Sequence, residues 1–146
     1  MLYFAYGTNM NQETMWNHCP TGEVVSVARL EKHQLIFNRQ GIATVIENES
    51  ATVYGVLYRI TDIDLVSLDK YENYPDLYDC TAMKVTLEQE VTLDQLDEPH
   101  QVHAIVYLAK DSSIGTPQQN HLLKIIEGAS KNRLPEPYIL KLERLL

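Results

Sequence analysis

Glu72 is the residue of this sequence whose position best suits acid–base chemistry. It follows Leu65 and Leu68 at helical spacing, so a helix over 61–72 places its carboxyl group on the apolar stripe of that helix. The position is also near the negative end of the helix dipole. Burial and the dipole both raise a carboxyl pKa, which favours proton transfer near neutral pH. If the helix instead ends at Tyr71, Glu72 is a solvated end residue.

A turn that suits an anion follows the first predicted strand. Residues 1–6 are apolar and aromatic, Gly7 then permits a positive φ and close backbone approach, and Asn9 tolerates the left-handed region. A helix over 12–18, capped by Asn11, begins directly afterwards. Backbone N–H groups at such a junction suit a carboxylate or a phosphate, although one Gly after one strand is common in ordinary domains. With a single Gly and no following Lys, the turn is neither a Walker loop nor a GxGxxG fingerprint, so a nucleotide is not indicated.

The remaining patterns predict an α+β fold, because runs of strands are broken by few helices. Strands are expected near residues 2–6, 23–30, 33–38, 42–46, 51–60, 79–93 and 101–109, with an acidic turn from Asp94 to Pro99. The helix over 61–72 begins with a capping-box pattern at Thr61 and Asp64. A later helix is predicted with Thr116 as its cap, Pro117 at its first position and Gln119 as capping-box partner. The side chains of that helix expected in the core are Leu122, Leu123, Ile125, Ile126 and Ala129.

Composition limits the possible partners. A length of 146 residues predicts one domain, 1–146, and a formal net charge of -8 argues against nucleic acid, which requires clustered Lys and Arg. No apolar run reaches membrane-spanning length and no signal peptide is evident, so we expect a cytoplasmic protein with no membrane partner. The 2 cysteines lack a CxxC pattern and the 5 histidines lack HExxH spacing. We therefore expect no metal and no cofactor.

Several ordered motifs resemble one known family. YFAYGTNM over 3–10 resembles the YFAYGSN(L/M) loop of γ-glutamylcyclotransferases, and LDKYENYPDLY over 68–78 is similar to their LDxxEG…Y segment, whose Glu is the catalytic acid/base. The other similar segments are VARL over 27–30 with LIFN over 35–38, which look like a hairpin of the family, VYGVLY over 53–58, and IIEGASKNRLP over 125–135 followed by Tyr138. The order and spacing agree over nearly the whole chain.

The sequence departs from the family pattern at four positions. Thr8 replaces the usual Ser, and Asn73 stands where Gly is usual. Arg133 replaces another common Gly, and His121 lies where some members have Tyr. Asn also enters the left-handed region, so Asn73 is tolerable. We expect Arg133 and His121 to alter the rim of the pocket and the preference for the amine of the substrate.

The resemblance implies a small mixed β-barrel flanked by a few helices, occurring as a monomer or homodimer. It implies a small-molecule γ-glutamyl substrate and an intramolecular cyclisation that releases 5-oxoproline and a free amine. Glu72 would be the catalytic residue, and the substrate-binding residues would be Tyr6, Gly7, Thr8, Asn9, Met10, Tyr78 and Tyr107. The substrate would be a γ-glutamyl-amino acid or a γ-glutamylamine. Two alternatives stay open: γ-glutamyl deprotection of a biosynthetic intermediate, and a non-catalytic binding module on the same fold.

Overall fold

The computed structural model describes residues 1–89 and 100–146, and five strands form the centre of this part of the chain. The strands are β1 (Leu2–Ala5), β2 (Glu23–Phe37), β3 (Ala43–Arg59), β4 (Tyr78–Leu87) and β5 (Gln101–Ala109). The helices around them are α1 (Gln12–His18), α2 (Asp62–Tyr71), α3 (Gln119–Lys131) and α4 (Glu136–Glu143), with a 3₁₀ turn over Thr8–Met10. The acidic turn predicted from Asp94 to Pro99 lies outside the described residues.

The strands close into a barrel in the order β1-β3-β2-β4-β5. β5 returns to β1 in parallel, with Tyr3 opposite Ile105, whereas the other pairings are antiparallel. The predicted α+β fold with a small mixed barrel is therefore confirmed. Closure places β1 between β3 and β5, so the turn that follows β1 emerges at one end of the barrel.

Two long strands replace the four short ones predicted between residues 23 and 60. β2 continues through a register shift between Glu31 and His33, and Lys32 at this irregularity has a φ of 61°. The predicted hairpin between 27–30 and 35–38 is therefore wrong, because both segments belong to β2 and pair with β3. A bulge inserts an extra residue into one strand and interrupts the alternation of side chains without ending the strand.

The first two helices agree with their predicted caps. The Asn11 side chain accepts a hydrogen bond from the Thr14 N–H at 3.1 Å at the start of α1. At the start of α2, the Asp64 N–H donates to Thr61 Oγ1 at 3.2 Å and the Thr61 N–H donates to Asp64 Oδ2 at 2.9 Å. These local contacts fix the helix starts and direct the end of α2 toward the turn after β1.

The predicted start of α3 is wrong. The helix begins at Gln119 and has Gln118 as its N-cap, without a side-chain capping bond. Thr116 and Pro117 lie before it, because the Gln118 N–H donates to the Gly41 carbonyl at 3.0 Å and holds this segment against the 38–41 loop. Leu122, Ile125 and Ala129 are buried as expected, and Ile126 packs against the core, but Leu123 is exposed. Helix α4, which follows, was not predicted.

Helix α3 supports the turn after β1 from behind. A Cβ atom on Gly128 would lie 2.6 Å from the Asn11 nitrogen, so only Gly permits this approach. The Asn132 side chain also donates to the Met10 carbonyl at 2.7 Å. No helix in the described ranges is long and apolar enough to cross a membrane. The 3₁₀ turn is thus held between β1 and α3, in one fixed position at the barrel end.

Candidate active site

A cavity of about 270 Å³ lies where the turn after β1 meets the end of α2. It is lined by residues from the barrel, the turn, the end of α2 and the start of α3: Tyr3, Phe4, Tyr6, Gly7, Thr8, Asn9, Ile42, Ala43, Tyr71, Glu72, Leu77, Tyr78, Tyr107 and His121. Every residue of the sequence-predicted site except Met10 is in this set. Met10 is 0% exposed and belongs to the hydrophobic core, so its prediction as a substrate contact is corrected.

Gly7, Thr8 and Asn9 of the turn line the cavity. The Met10 N–H donates to the Gly7 carbonyl at 3.1 Å, and the Asn11 N–H donates to the Thr8 carbonyl at the same distance. Within residues 1–89 and 100–146, no hydrogen-bond acceptor pairs with the N–H groups of Gly7, Thr8 and Asn9. The expected positive φ at Gly7 is wrong, since φ is -112°. A Cβ atom there would meet nothing within 4 Å, which leaves open space beside these N–H groups.

Asn9 is held by three hydrogen bonds. Its Nδ2 donates to Tyr3 Oη at 3.0 Å, and the carbonyl oxygen accepts from Tyr58 Oη at 2.8 Å. Its Oδ1 lies 2.9 Å from Nε2 of His18, which must donate because an amide oxygen only accepts. Burial lowers the pKa of His18, so the imidazole is neutral with its proton on Nε2. These three hydrogen bonds fix Asn9, and with it the backbone of the turn.

Glu72 is the residue immediately after α2. It has the αR conformation, and its N–H donates to the Leu68 carbonyl at 2.9 Å. Asn73 follows with a φ of 51°, which turns the chain away in the left-handed stop that the sequence predicted. Burial raises the pKa of the Glu72 carboxyl from 4.5 to about 7. The helix thus ends at Tyr71, yet Glu72 is partly buried in the cavity and is not a solvated end residue.

Five tyrosine side chains line the same cavity as Glu72. Burial raises the pKa of five tyrosines, and the negative charge of Glu72 adds to each shift; they are Tyr3, Tyr6, Tyr71, Tyr78 and Tyr107. The protons of three of these phenols are donated within the protein. Tyr6 donates to the Tyr107 carbonyl, Tyr78 donates to the Ala43 carbonyl at 2.8 Å, and Tyr107 donates to Asp69 Oδ1 at 2.6 Å. All five phenols in this cavity are therefore neutral.

His121 lines the cavity next to Ala43. Its Nε2 accepts a hydrogen bond from the Ala43 N–H at 3.2 Å, and its ring meets Phe37 edge to face. Burial lowers the pKa of His121, so it is neutral and its remaining proton is on Nδ1. Arg133, expected at the rim, does not line the cavity; its φ of 57° accounts for the Gly that is common there.

Sequence reasoning missed Tyr3 and Tyr71 as site residues. Tyr3 reads as a strand residue, and its partner Asn9 is placed only by the turn. Tyr71 Oη lies 2.9 Å from Thr8 Oγ1, and its ring stacks on His18 with centroids 4.2 Å apart. The only indication for Tyr71 in the sequence was its place next to Glu72 at the end of a predicted helix. Among the described residues, no group of three or more His, Cys, Asp or Glu side chains is placed to hold a metal.

A family model matches most of the chain. The family model described as gamma-glutamyl cyclotransferase, AIG2-like, matches residues 3–129. The chain belongs to this family and is an enzyme of the gamma-glutamylcyclotransferase type. The resemblance predicted from the sequence motifs is thereby confirmed.

Individual relatives and solved structures extend the match. Bovine gamma-glutamylcyclotransferase is 30% identical over 99% of this chain and 78% of its own length, and the human protein is 29% identical with the same coverage. A solved gamma-glutamyl cyclotransferase structure superposes with a TM-score of 0.85 at 28% identity, covering 98% of this chain and 86% of that one. The structure of YkqA from Bacillus subtilis gives a TM-score of 0.78 at 26% identity, over 99% of this chain and 53% of that one.

Proposed function

We propose that this chain cyclises γ-glutamyl amides to 5-oxoproline and a free amine, with Glu72 as the general acid and base. The observation that carries this proposal is a partly buried Glu72 carboxyl whose pKa is raised to about 7, in a cavity that Gly7, Thr8 and Asn9 of the turn after β1 also line. A general acid/base works best when its pKa is near the working pH. Both protonation states of Glu72 are then populated near neutrality.

The proposed reaction needs no nucleophile from the protein. The Glu72 carboxylate takes a proton from the α-ammonium of the substrate, and the freed amine attacks the γ-carbonyl carbon to form a five-membered ring. The C–N bond to the leaving group then breaks as Glu72 returns the proton to the departing nitrogen. The ring nitrogen gives up its second proton, which the released amine takes up as an ammonium ion. The products are 5-oxoproline and an amine, and water is not consumed. Because the nucleophile is tethered, holding the glutamyl chain in its folded conformer supplies much of the rate enhancement.

The turn after β1 is proposed to receive the negatively charged part of the substrate. The N–H groups of Gly7, Thr8 and Asn9 have no acceptor in the described part of the protein and are held in place by the bonds to Asn9. They suit the glutamyl α-carboxylate, and they suit the oxyanion that forms as the carbonyl carbon becomes tetrahedral. Fixed donors of this kind stabilise negative charge without reorganising during the reaction.

The leaving amine is proposed to lie toward the part of the cavity lining formed by Ile42, Leu77 and His121. This side is mainly apolar, with the neutral His121 ring as its polar group. Such a surface accepts γ-glutamyl-amino acids and γ-glutamylamines of moderate size. The cavity and the raised Glu72 pKa support turnover over a binding module, because a module that only binds has no need of a carboxyl group poised to exchange protons.

The decisive experiment is product analysis with a Glu72→Gln variant. Purified wild-type protein is incubated with a panel of γ-glutamyl amides, and the release of 5-oxoproline is followed by mass spectrometry. Removal of a general acid/base lowers the rate by about 10² to 10⁴. Glu136→Gln, an exposed change at the start of α4, is the matched control and should keep the wild-type rate. A Glu72→Gln protein that cyclises substrate at nearly the wild-type rate contradicts the proposal.

A further inference from the structure

We infer that Asp69 is a positioning residue for the ammonium subsite that the proposed reaction places at Glu72. By accepting the Tyr107 proton, its carboxylate keeps the Tyr107 oxygen as a hydrogen-bond acceptor in the cavity that Glu72 also lines. The inference rests on the proposed function, because it places the α-ammonium of the γ-glutamyl substrate. It assigns a role to Asp69, which does not itself line the cavity.

Each of these phenols has a single proton. A tyrosine hydroxyl has one proton to donate and lone pairs to accept with. Tyr6 and Tyr78 each donate that proton to a backbone carbonyl, of Tyr107 and Ala43 respectively. Tyr107 donates to a side chain, Asp69 Oδ1, at 2.6 Å. With their protons committed, the oxygens of Tyr78 and Tyr107 are left only as acceptors toward a ligand. The Tyr6 oxygen also has a hydrogen bond with the Thr44 side chain.

A set of acceptors beside a carboxyl group selects a cation that donates hydrogen bonds. An ammonium group has three N–H bonds and no lone pair, so it pairs with acceptor oxygens, whereas a carboxylate is repelled by them. Glu72 and the three phenols line the same cavity. Charge-assisted hydrogen bonds to such a group are the strong ones.

The opposite polarity is found at the turn after β1. The N–H groups of Gly7, Thr8 and Asn9 are donors without an acceptor in the described residues. Tyr3 accepts from Asn9 Nδ2, so its own proton remains available to a ligand. The cavity therefore has a donor side for a carboxylate and an acceptor side for an ammonium group. An α-amino acid carries both groups on one carbon, which matches this arrangement.

Asp69 is the residue of this arrangement that is best suited to a mutational test. It lies one helical turn before Glu72, and its carboxylate is the only side-chain acceptor among the three that receive the phenol protons. Without Asp69 Oδ1, the Tyr107 hydroxyl is free to rotate and point its proton at the ligand. A donor would then face an ammonium group, and the subsite would lose selectivity while the fold of the barrel is retained.

The test is calorimetric binding of two unreactive probes. L-Methionine sulfone places a sulfone where the γ-amide of a substrate lies and keeps the α-ammonium group, and 4-(methylsulfonyl)butanoate lacks only that group. The ratio of their dissociation constants measures the ammonium contacts. Since a hydrogen bond to a charged group contributes about tenfold or more in affinity, wild-type protein should prefer methionine sulfone by at least about tenfold. Asp69→Leu and Tyr107→Phe should each reduce this preference by about three- to tenfold.

The controls separate this role from a structural one. Asp69→Asn keeps a carbonyl oxygen that can accept from Tyr107, so it should retain most of the preference. A purely structural effect would weaken both probes equally and leave their ratio unchanged. An unchanged ratio in Tyr107→Phe, which leaves α2 untouched, or equal binding of both probes by wild-type protein, overturns the inference. If wild-type protein prefers methionine sulfone but does not cyclise γ-glutamyl amides, the subsite stands and the proposed reaction falls.

Discussion

Thr8 Oγ1 and Tyr71 Oη lie 2.9 Å apart, and this hydrogen bond joins the turn after β1 directly to the residue before Glu72. The same Tyr71 ring stacks on His18, which supports the turn through Asn9. The proposed anion site and the proposed acid/base are thus linked by side-chain contacts between segments 63 residues apart in sequence. We infer that their relative position depends on this contact, because neither segment is bonded to the other by a strand pairing.

This contact predicts different outcomes for two substitutions at Thr8. Thr8→Val removes the hydroxyl and keeps the shape, and it should lower kcat/KM by about three- to tenfold, since a hydrogen bond of this kind contributes about 1 kcal/mol. Thr8→Ser keeps the hydroxyl and should remain within about twofold of wild type. Steady-state kinetics on one γ-glutamyl amide compares the two variants. Equal rates for Val and Ser would mean that the contact does not position Glu72.

The raised pKa of Glu72 predicts the acid limb of the pH profile. The carboxylate form must accept the first proton, so kcat/KM should fall about tenfold per pH unit below the Glu72 pKa of about 7. The profile is measured between pH 4 and 9 with a γ-glutamyl amide. His18 and His121 cannot account for a limb at this pH, because burial lowers the pKa of both. A profile that stays flat down to about pH 4.3, the value for an ordinary Glu, would contradict a buried carboxyl.

The same pKa predicts a pH-dependent effect on stability. The folded pKa of Glu72 is raised from 4.5 to about 7, so its favourable contribution is complete below pH 4.5 and is lost as the pH rises to about 7. Above that pH the buried charge is a cost, and Glu72→Gln removes it. Relative to wild type, the variant should therefore gain about 2–3 kcal/mol in free energy of unfolding between pH 4 and pH 8. Urea denaturation of both proteins at the two pH values measures this gain, and a constant difference between them would contradict it.

Local patterns in the sequence predicted the parts of this site that local contacts determine. The caps at Asn11 and Thr61 bond within three residues, so their signals are complete in the sequence. The start of α3 depends instead on a bond from Gln118 to Gly41, on a distant loop. The partners Tyr107 and Asp69 are 38 residues apart and meet only when the barrel closes. Glu72 and the turn could therefore be predicted from the sequence. The directions in which the phenols donate their protons could not.

A substitution at Gly7 should lower the affinity for substrate without destabilising the fold. A Cβ atom at Gly7 meets nothing within 4 Å and its φ is negative, so Gly7→Ala should fold with wild-type stability. The added methyl group occupies the space beside the turn N–H groups, and the affinity for every γ-glutamyl substrate should fall by a similar factor. Gly55→Ala is the contrasting variant, since its Cβ would lie 2.4 Å from the Ala5 carbonyl oxygen and should destabilise the barrel. Thermal unfolding and KM values for two substrates distinguish these effects, and an unchanged KM in Gly7→Ala would place the carboxylate elsewhere.

Substitution of His121 should change the preference of the enzyme for the leaving amine. It lines the cavity with Ile42 and Leu77 at the proposed amine side, so His121→Ala enlarges that side and leaves the residues of the turn unchanged. The ratio of kcat/KM for γ-glutamyl phenethylamide to that for γ-glutamyl methylamide should rise by about 10-fold, since an apolar pocket discriminates by roughly 1–3 kcal/mol per group of this size. Arg133→Gly is the matched control, because Arg133 lies outside the cavity and should leave the ratio unchanged. Because Arg133 has a positive φ, Arg133→Gly should also raise the free energy of unfolding by about 0.5–1 kcal/mol. If His121→Ala lowers kcat/KM for both amides equally, His121 supports the strand end at Ala43 and does not select the amine.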